Sequence, residues 1–373
     1  MRLLTYSNCP LDDALGSGYV ALRYAAGLRA RGHAVELRGP ADYEPGHGIW
    51  RRAIRYRQAL GMALSSIGRL LRSEYDVLEF YGGEAWLALF LLARWPGRRF
   101  LLVCHSNGLE PHCAEVLRAA AAGESGGRWY QLSLGRLAAL GFRYADAILT
   151  VAEYDRGYAL RQAYVPPDRV LAIENPLPDS FLGLPFEPER GPALGFCGSW
   201  IPRKGTALLE RDIPRLLREL PGWRFTLVGV GDGFQAAEHF PADVLPRIAV
   251  VPHADRETEL PALYRSFSIL LLPSLYESFG LTAAEAMACG CALVATPVGF
   301  AAGLRHGEEA MLLETHSPSL YAAVKALAST PDLRQRIARG GHRRVQTLRW
   351  GPAVAAAETA YASWLAELRG RAA

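Results

Sequence analysis

Two glutamates eight positions apart, Glu277 and Glu285, frame the segment Pro273-Ser274-Leu275-Tyr276-Glu277-Ser278-Phe279-Gly280-Leu281-Thr282. The spacing alone is cheap, because acid pairs at any fixed separation arise by chance in a long chain. Its setting is not. An apolar run, Ile269-Leu270-Leu271-Leu272, stops at the proline, Glu277 falls in the turn, and a helical pattern from about Gly280 carries Glu285. Both carboxylates can then face one cleft. The N–H groups near Gly280–Thr282 point the same way, with a helix dipole behind them. A second turn, Gly198-Ser199-Trp200-Ile201-Pro202-Arg203-Lys204-Gly205-Thr206, also joins a strand pattern to a helix pattern. Lys204 is one of two lysines among 41 basic residues. At such a turn an ammonium suits an anion, whereas a solvated surface lysine is the plain alternative. Gly205 stands where a P-loop needs Ser or Thr. Amides and an ammonium for phosphate, with carboxylates for hydroxyls, suit a nucleotide sugar.

Other motifs resolve to less. Gly229-Val230-Gly231-Asp232-Gly233 mimics a dinucleotide fingerprint, but Phe234 fills the place of the third glycine, so NAD is excluded. Leu15-Gly16-Ser17-Gly18 precedes a helical pattern over 19–31 and could let backbone approach a ligand; a structural turn explains it equally. Gly123-Glu124-Ser125-Gly126-Gly127 follows an alanine-rich helical run rather than a strand, so it reads as a loop and not a nucleophile elbow. There is no HExxH, no Asp-x-Asp and no Cys/His cluster, and no metal or other cofactor is expected. Six cysteines without a CxxC pair read as free thiols in a reducing cytoplasm, with Cys289 and Cys291 packed beside a tight turn.

The elements that must position these residues alternate throughout. Six strand patterns lie between Arg2 and Asn175 and six more between Leu194 and Glu314, separated by helical patterns. The expected fold is α/β: two Rossmann-like, doubly wound parallel-sheet domains facing across a cleft. Five prolines between 176 and 192 mark the boundary. The expected division is an acceptor-side domain over 1–180, a linker over 181–192 and a donor-side domain over 193–346. A helix over 347–373, with no strand to return to, should pack back on the first domain. A net charge of +4 over 373 residues disfavours a nucleic-acid partner. No apolar stretch is long enough to span a bilayer, and the start turns polar too early for a signal peptide, so a cytoplasmic location is expected. Residues 50–72 hold six arginines among apolar residues. The favoured reading packs the apolar face on the first sheet with the arginines in water; the alternative is peripheral contact with the inner face of a membrane.

The segments Gly198…Lys204-Gly205, Gly229-Val230-Gly231-Asp232-Gly233 and Pro273…Glu277…Glu285-Ala286-Met287-Ala288-Cys289-Gly290 together resemble the retaining, group 1 (family 4) glycosyltransferases of GT-B fold. Arg31-Gly32-His33, Cys104-His105-Ser106, Ile173-Glu174-Asn175-Pro176 and Trp350 extend the resemblance. It implies a hexosyl transfer from a nucleotide sugar to a glycan, lipid-linked or small-molecule acceptor. Glu277, Lys204 and His105 would be catalytic. Glu277 would hold the donor sugar, Glu285 the ribose and Lys204 the diphosphate. Ser278, Phe279, Gly280 and Leu281 would line the sugar and phosphate, and Gly16 and Gly18 would close on the diphosphate from the first domain. Ser199 replaces the family's usual arginine, and Arg203 compensates only if it turns inward. The alternatives are a catalytically silent GT-B-like binding subunit, or a GT-B phosphorylase, hydrolase or epimerase.

Overall fold

A computed structural model describes residues 1–12, 16–44, 54–120, 128–314 and 319–371. It divides into two compact units: Met1–Asn175 with Trp350–Ala373, and Pro176–Arg349. The proline-rich stretch after Asn175 therefore belongs to unit 2.

Unit 1 runs β1 Arg2–Tyr6, α1 Gly16–Ala30, β2 Ala34–Arg38, α2 Pro40–Tyr43, α3 Ile54–Leu70, β3 Val77–Tyr81, α4 Trp86–Leu92, β4 Leu101–Ser106, α5 Glu110–Ala120, α6 Arg128–Tyr144, β5 Ala147–Thr150, α7 Glu153–Arg161 and β6 Val170–Ala172. Unit 2 runs β7 Ala193–Cys197, α8 Thr206–Glu219, β8 Arg224–Val228, β9 Ile248–Val251, α9 Leu260–Ser266, β10 Ile269–Leu272, α10 Leu281–Ala288, β11 Ala292–Ala295, β12 Met311–Leu312, α11 Leu320–Ser329 and α12 Pro331–Val345. The chain then returns to unit 1 as α13, Trp350–Arg371.

Each unit holds a six-stranded sheet, ordered β2-β1-β3-β4-β5-β6 and β12-β11-β10-β7-β8-β9. All pairings are parallel. This is the expected six-plus-six GT-B architecture. Strands β3, β4, β5, β10 and β11 are buried at every residue. Helices cover both faces, so these strands read as unbroken apolar runs. Alternation then splits the first sheet's core. Leu4, Leu78, Phe80 and Leu102 pack toward α3, α4 and α6, while Leu3, Val77, Tyr81 and Leu101 pack toward α1 and α13. In α13, Val354, Ala357, Tyr361, Trp364 and Leu365 form the buried stripe. Each large buried side chain contributes about 1.5–3 kcal/mol.

Helix boundaries depart from the sequence reading in two informative places. The first helix begins at Gly16 instead of Tyr19, so the glycine turn is helical. The pattern over 257–267 shortens to α9, because the Asp255 carboxylate accepts the N–H groups of Glu257 and Thr258 and ties that stretch into a turn. The Gly123–Gly127 motif lies outside the described residues.

In unit 1 the chain goes from β1 to one neighbour, β2, and then to the other, β3. In unit 2, β7 is flanked by β8 and β10 in the same manner. Beyond the carboxyl ends of such strand pairs the loops part in opposite directions and leave a crevice for ligands.

Candidate active site

The unit 2 crevice receives the loops after β7 and β10. After β7, Gly198 leads to a 3-10 turn, Pro202–Lys204, and then to Gly205 at the start of α8. Gly205 has φ of 73°, and a Cβ there would stand 1.9 Å from the Pro273 carbonyl oxygen. The Leu275 N–H donates to the Arg203 carbonyl at 2.8 Å. Only glycine lets the two loops meet this closely, which is why glycine follows Lys204.

The contact places Lys204 Nζ 2.7 Å from Glu277 Oε1. The Ser274 hydroxyl donates to the same oxygen at 2.7 Å. Both members are largely enclosed, with side chains 14% and 7% exposed. A shielded pair is screened less than a surface one, and removing one partner leaves a costly unpaired charge. Two of the three ammonium hydrogens remain for a ligand. Gly280, at φ of 88°, starts α10 with no side-chain cap, so this end offers backbone N–H groups.

Glu285 is buried on α10 and already engaged. Arg256 Nε and Nη2 donate to its Oε1 at 2.9 and 2.6 Å, and the Tyr264 hydroxyl donates to Oε2 at 3.2 Å. The Cys197 thiol ties the two groups together. Burial pushes it up to about 11, Tyr264, Lys204 and Arg256 pull it down, and Glu285 pushes it up. Lys204, Glu285 and Arg256 thus act on one sulfur at the end of β7.

Of the other expected residues, Ser199 is exposed, Ser278 and Leu281 are half-buried, and Phe279 is buried against Phe300 at 5.1 Å between ring centroids. Arg203 is half-buried and contributes its carbonyl to Leu275. Ser274, Arg256 and Tyr264 escaped the sequence reading. Ser274 lay inside the motif, three residues before its partner. Arg256 follows β9 by a few residues, so a basic residue just beyond a strand end was the available signal.

His105, Gly16 and Gly18 lie in unit 1. His105 is the penultimate residue of β4 and is 1% exposed. Its Nδ1 is 2.8 Å from Glu79 Oε1, and its ring stacks on Tyr81 and meets Tyr24 edge-on. Nε2 is buried without a hydrogen-bond partner among the described residues. Glu79 also accepts from Thr5 Oγ1 at 2.8 Å and from the Tyr361 hydroxyl on α13. Burial would raise this carboxyl, but the hydrogen bonds from His105, Tyr361 and Thr5 bring it below its ordinary value. Gly18 is buried, and a Cβ there would meet the chain's own carbonyls at Pro10 and Asp12, 2.3 and 2.8 Å away. Its small size serves that internal contact; Gly16 is exposed on the first turn of α1.

Fold and site together define a GT-B glycosyltransferase architecture. Residues 191–330 match the family model described as Glycosyl transferases group 1, and residues 16–176 match the Glycosyl transferase 4-like domain. The chain belongs to this group 1, family-4-like glycosyltransferase family. It is similar to the D-inositol 3-phosphate glycosyltransferase of Acidothermus cellulolyticus, 32% identical over 199 residues, which cover 50% of this chain and 44% of that protein. It thus spans less than half the length of that relative. In fold it is similar to the sucrose-phosphate synthase from Thermosynechococcus elongatus, with TM-score 0.78, 18% identity, and coverage of 98% of this chain and 100% of the other. It is also similar to Anabaena HepE in complex with UDP-glucose, with TM-score 0.67, 16% identity, and coverage of 96% and 99%.

Proposed function

We propose that the chain transfers a hexosyl group from a nucleotide-diphosphate sugar to a glycan, lipid-linked or small-molecule acceptor, with retention of anomeric configuration and without a bound metal. The observation that carries this is the Lys204–Glu277 pair, 2.7 Å apart at the switch point and followed by the uncapped start of α10. The relatives' names, an inositol-phosphate glycosyltransferase and a protein in complex with UDP-glucose, support the substrate class.

Cleavage of the anomeric C–O bond leaves growing negative charge on the β-phosphate. Lys204 keeps its bond to Glu277 and turns its free hydrogens to that oxygen, while the α10 amides stabilise the same charge. Glu277 fixes the ammonium and offers its second oxygen to a sugar hydroxyl. Glu285, oriented by Arg256 and Tyr264, accepts from the ribose. In unit 1, which carries the acceptor in this reading, Glu79 holds the His105 ring so that Nε2 stays available to a hydroxyl. The charge carried by Lys204 and the helix end takes the part that a divalent ion plays in metal-dependent transferases, so chelation with EDTA should leave the rate unchanged.

The experiment is a thermal-shift panel of UDP, GDP and ADP sugars, followed by product analysis with the best donor. One donor should stabilise the chain through linkage, and its transfer product should keep the anomeric configuration. No stabilisation by any of them counts against the reading and favours the silent binding subunit. An inverted product rejects retention alone.

A further inference from the structure

The switch-point crevice of unit 1 holds a second pair of acids. Gly82 and Gly83 follow β3, and Glu84 comes next. The Gly83 N–H donates to Glu110 Oε1 at 3.0 Å, at the start of α5. The Asn8 amide, beyond the end of β1, donates to Glu84 Oε2 at 2.9 Å. Gly82 has φ of 93°, and a Cβ there would lie 2.6 Å from Glu84 Oε2; one on Gly83 would lie 2.9 Å from Glu110 Oε2. The glycine pair is what admits both carboxyl groups. Beside them lies a cavity of about 10 Å³, walled on its apolar side by Trp86, Leu137 and Ala138. That is room for about one oxygen-sized group. Glu110 Oε2 is buried there without a hydrogen-bond partner among the described residues. Unpaired polar atoms are expensive to bury, so this one calls for a ligand or a water.

The charges around the seat are one-sided. Arg55, from α3, is the one cation among the described residues that line it, 3.7 Å from Glu84 Oε1. Cys9 and Cys104 also feel both acids, and burial raises both thiols, so they stay neutral near pH 7. Burial, and then repulsion from Glu84, pushes the Glu110 carboxyl up to about 8. At neutral pH Glu110 is therefore a hydrogen-bond donor beside an accepting Glu84. An alcohol both donates and accepts; a phosphate would meet a carboxylate whose arginine is already engaged.

We propose that the Glu84–Glu110 seat takes an unphosphorylated hydroxyl group of the acceptor and makes unit 1 selective for neutral sugars or polyols over phosphorylated ones. This rests on the reading of unit 1 as the acceptor-carrying unit. It separates this chain from the relatives named for inositol 3-phosphate.

The test is thermal-shift titration of the full chain with myo-inositol, methyl α-glucoside and methyl α-mannoside, against inositol 1-phosphate and glucose 6-phosphate. At least one neutral compound should stabilise the wild type and Glu110→Gln, whose amide keeps a donor. Glu110→Ala should weaken its affinity about tenfold or more. Wild-type affinity should fall as pH rises through about 8, whereas Glu110→Gln should stay flat. Should Glu110→Ala fail to fold, Glu84→Gln and the paired pH profiles decide. Equal affinity in wild type and Glu110→Ala, tighter binding of the phosphorylated probes, or no binding of any neutral compound overturns the proposal. Nucleotide sugars in the same plates report on unit 2. A nucleotide shift without an alcohol shift sinks this proposal and spares the transferase reading; the opposite pattern spares the alcohol seat and sinks that reading.

Discussion

At the scale of single residues, function concentrates where opposite charges share a small dry volume. Lys204→Ala leaves Glu277 enclosed without its cation, and Glu277→Ala frees the ammonium from its anchor. Each should lower kcat by about 10²-fold or more, measured with the donor chosen by the nucleotide panel. Arg256→Ala should act differently. It releases Glu285 while leaving the Lys204 pair in place, so KM for the donor should rise more than kcat falls. Glu110 gives a prediction in stability. Its carboxyl rises from 4.5 to about 8 on folding, so the native state binds the proton over that window and the unfolded state does not. Its share of stability is complete below about 4.5, declines as pH rises to about 8, and is then lost. Glu110→Gln should therefore lower the dependence of Tm on pH between those values. Thermal denaturation of both proteins at pH 5 and pH 8 measures it.

At the scale of elements, α3 is the least ordinary helix. It buries Ala59, Met62 and Ala63, yet Tyr56, Leu60 and Leu64 are exposed, as is Leu71 just beyond it. The sequence reading favours an apolar face against the sheet for this segment, with peripheral membrane contact as the alternative. The structure leaves a second apolar stripe outside, near the exposed Arg55 and Arg72. Among the described residues no helix is long and apolar enough to cross a membrane. We propose that the stripe lies on an anionic bilayer surface. Flotation with vesicles containing anionic lipid should carry the chain upward, and a Leu60→Glu, Leu64→Glu double variant should stay behind; identical flotation of both excludes it. Much of the architecture was readable because fully buried parallel strands are unbroken apolar runs, as in β10, and because the turn from β10 to α10 is local in sequence. The histidine network was not readable. His105 is 26 residues from Glu79, and Glu79 is 282 residues from Tyr361. No periodicity in a linear string announces a partner that only sheet order and a returning helix can deliver. Glu110 was missed for a related reason: a glutamate at the start of a helix looks like an ordinary dipole partner until burial is known.

At the scale of the whole molecule, unit 1 is assembled from two stretches of chain, Met1–Asn175 and Trp350–Ala373, while unit 2 is continuous. A ribosome emits residues in order, so unit 2 can mature while unit 1 still lacks α13. Until then the far side of Val77 and Tyr81 has α1 against it but not the α13 stripe, and Glu79 lacks its hydrogen bond from Tyr361. Nascent chains arrested before Trp350 should therefore show a protease-resistant unit 2 beside a readily digested unit 1. Adding α13 in trans as a synthetic peptide should restore protection to the earlier segment.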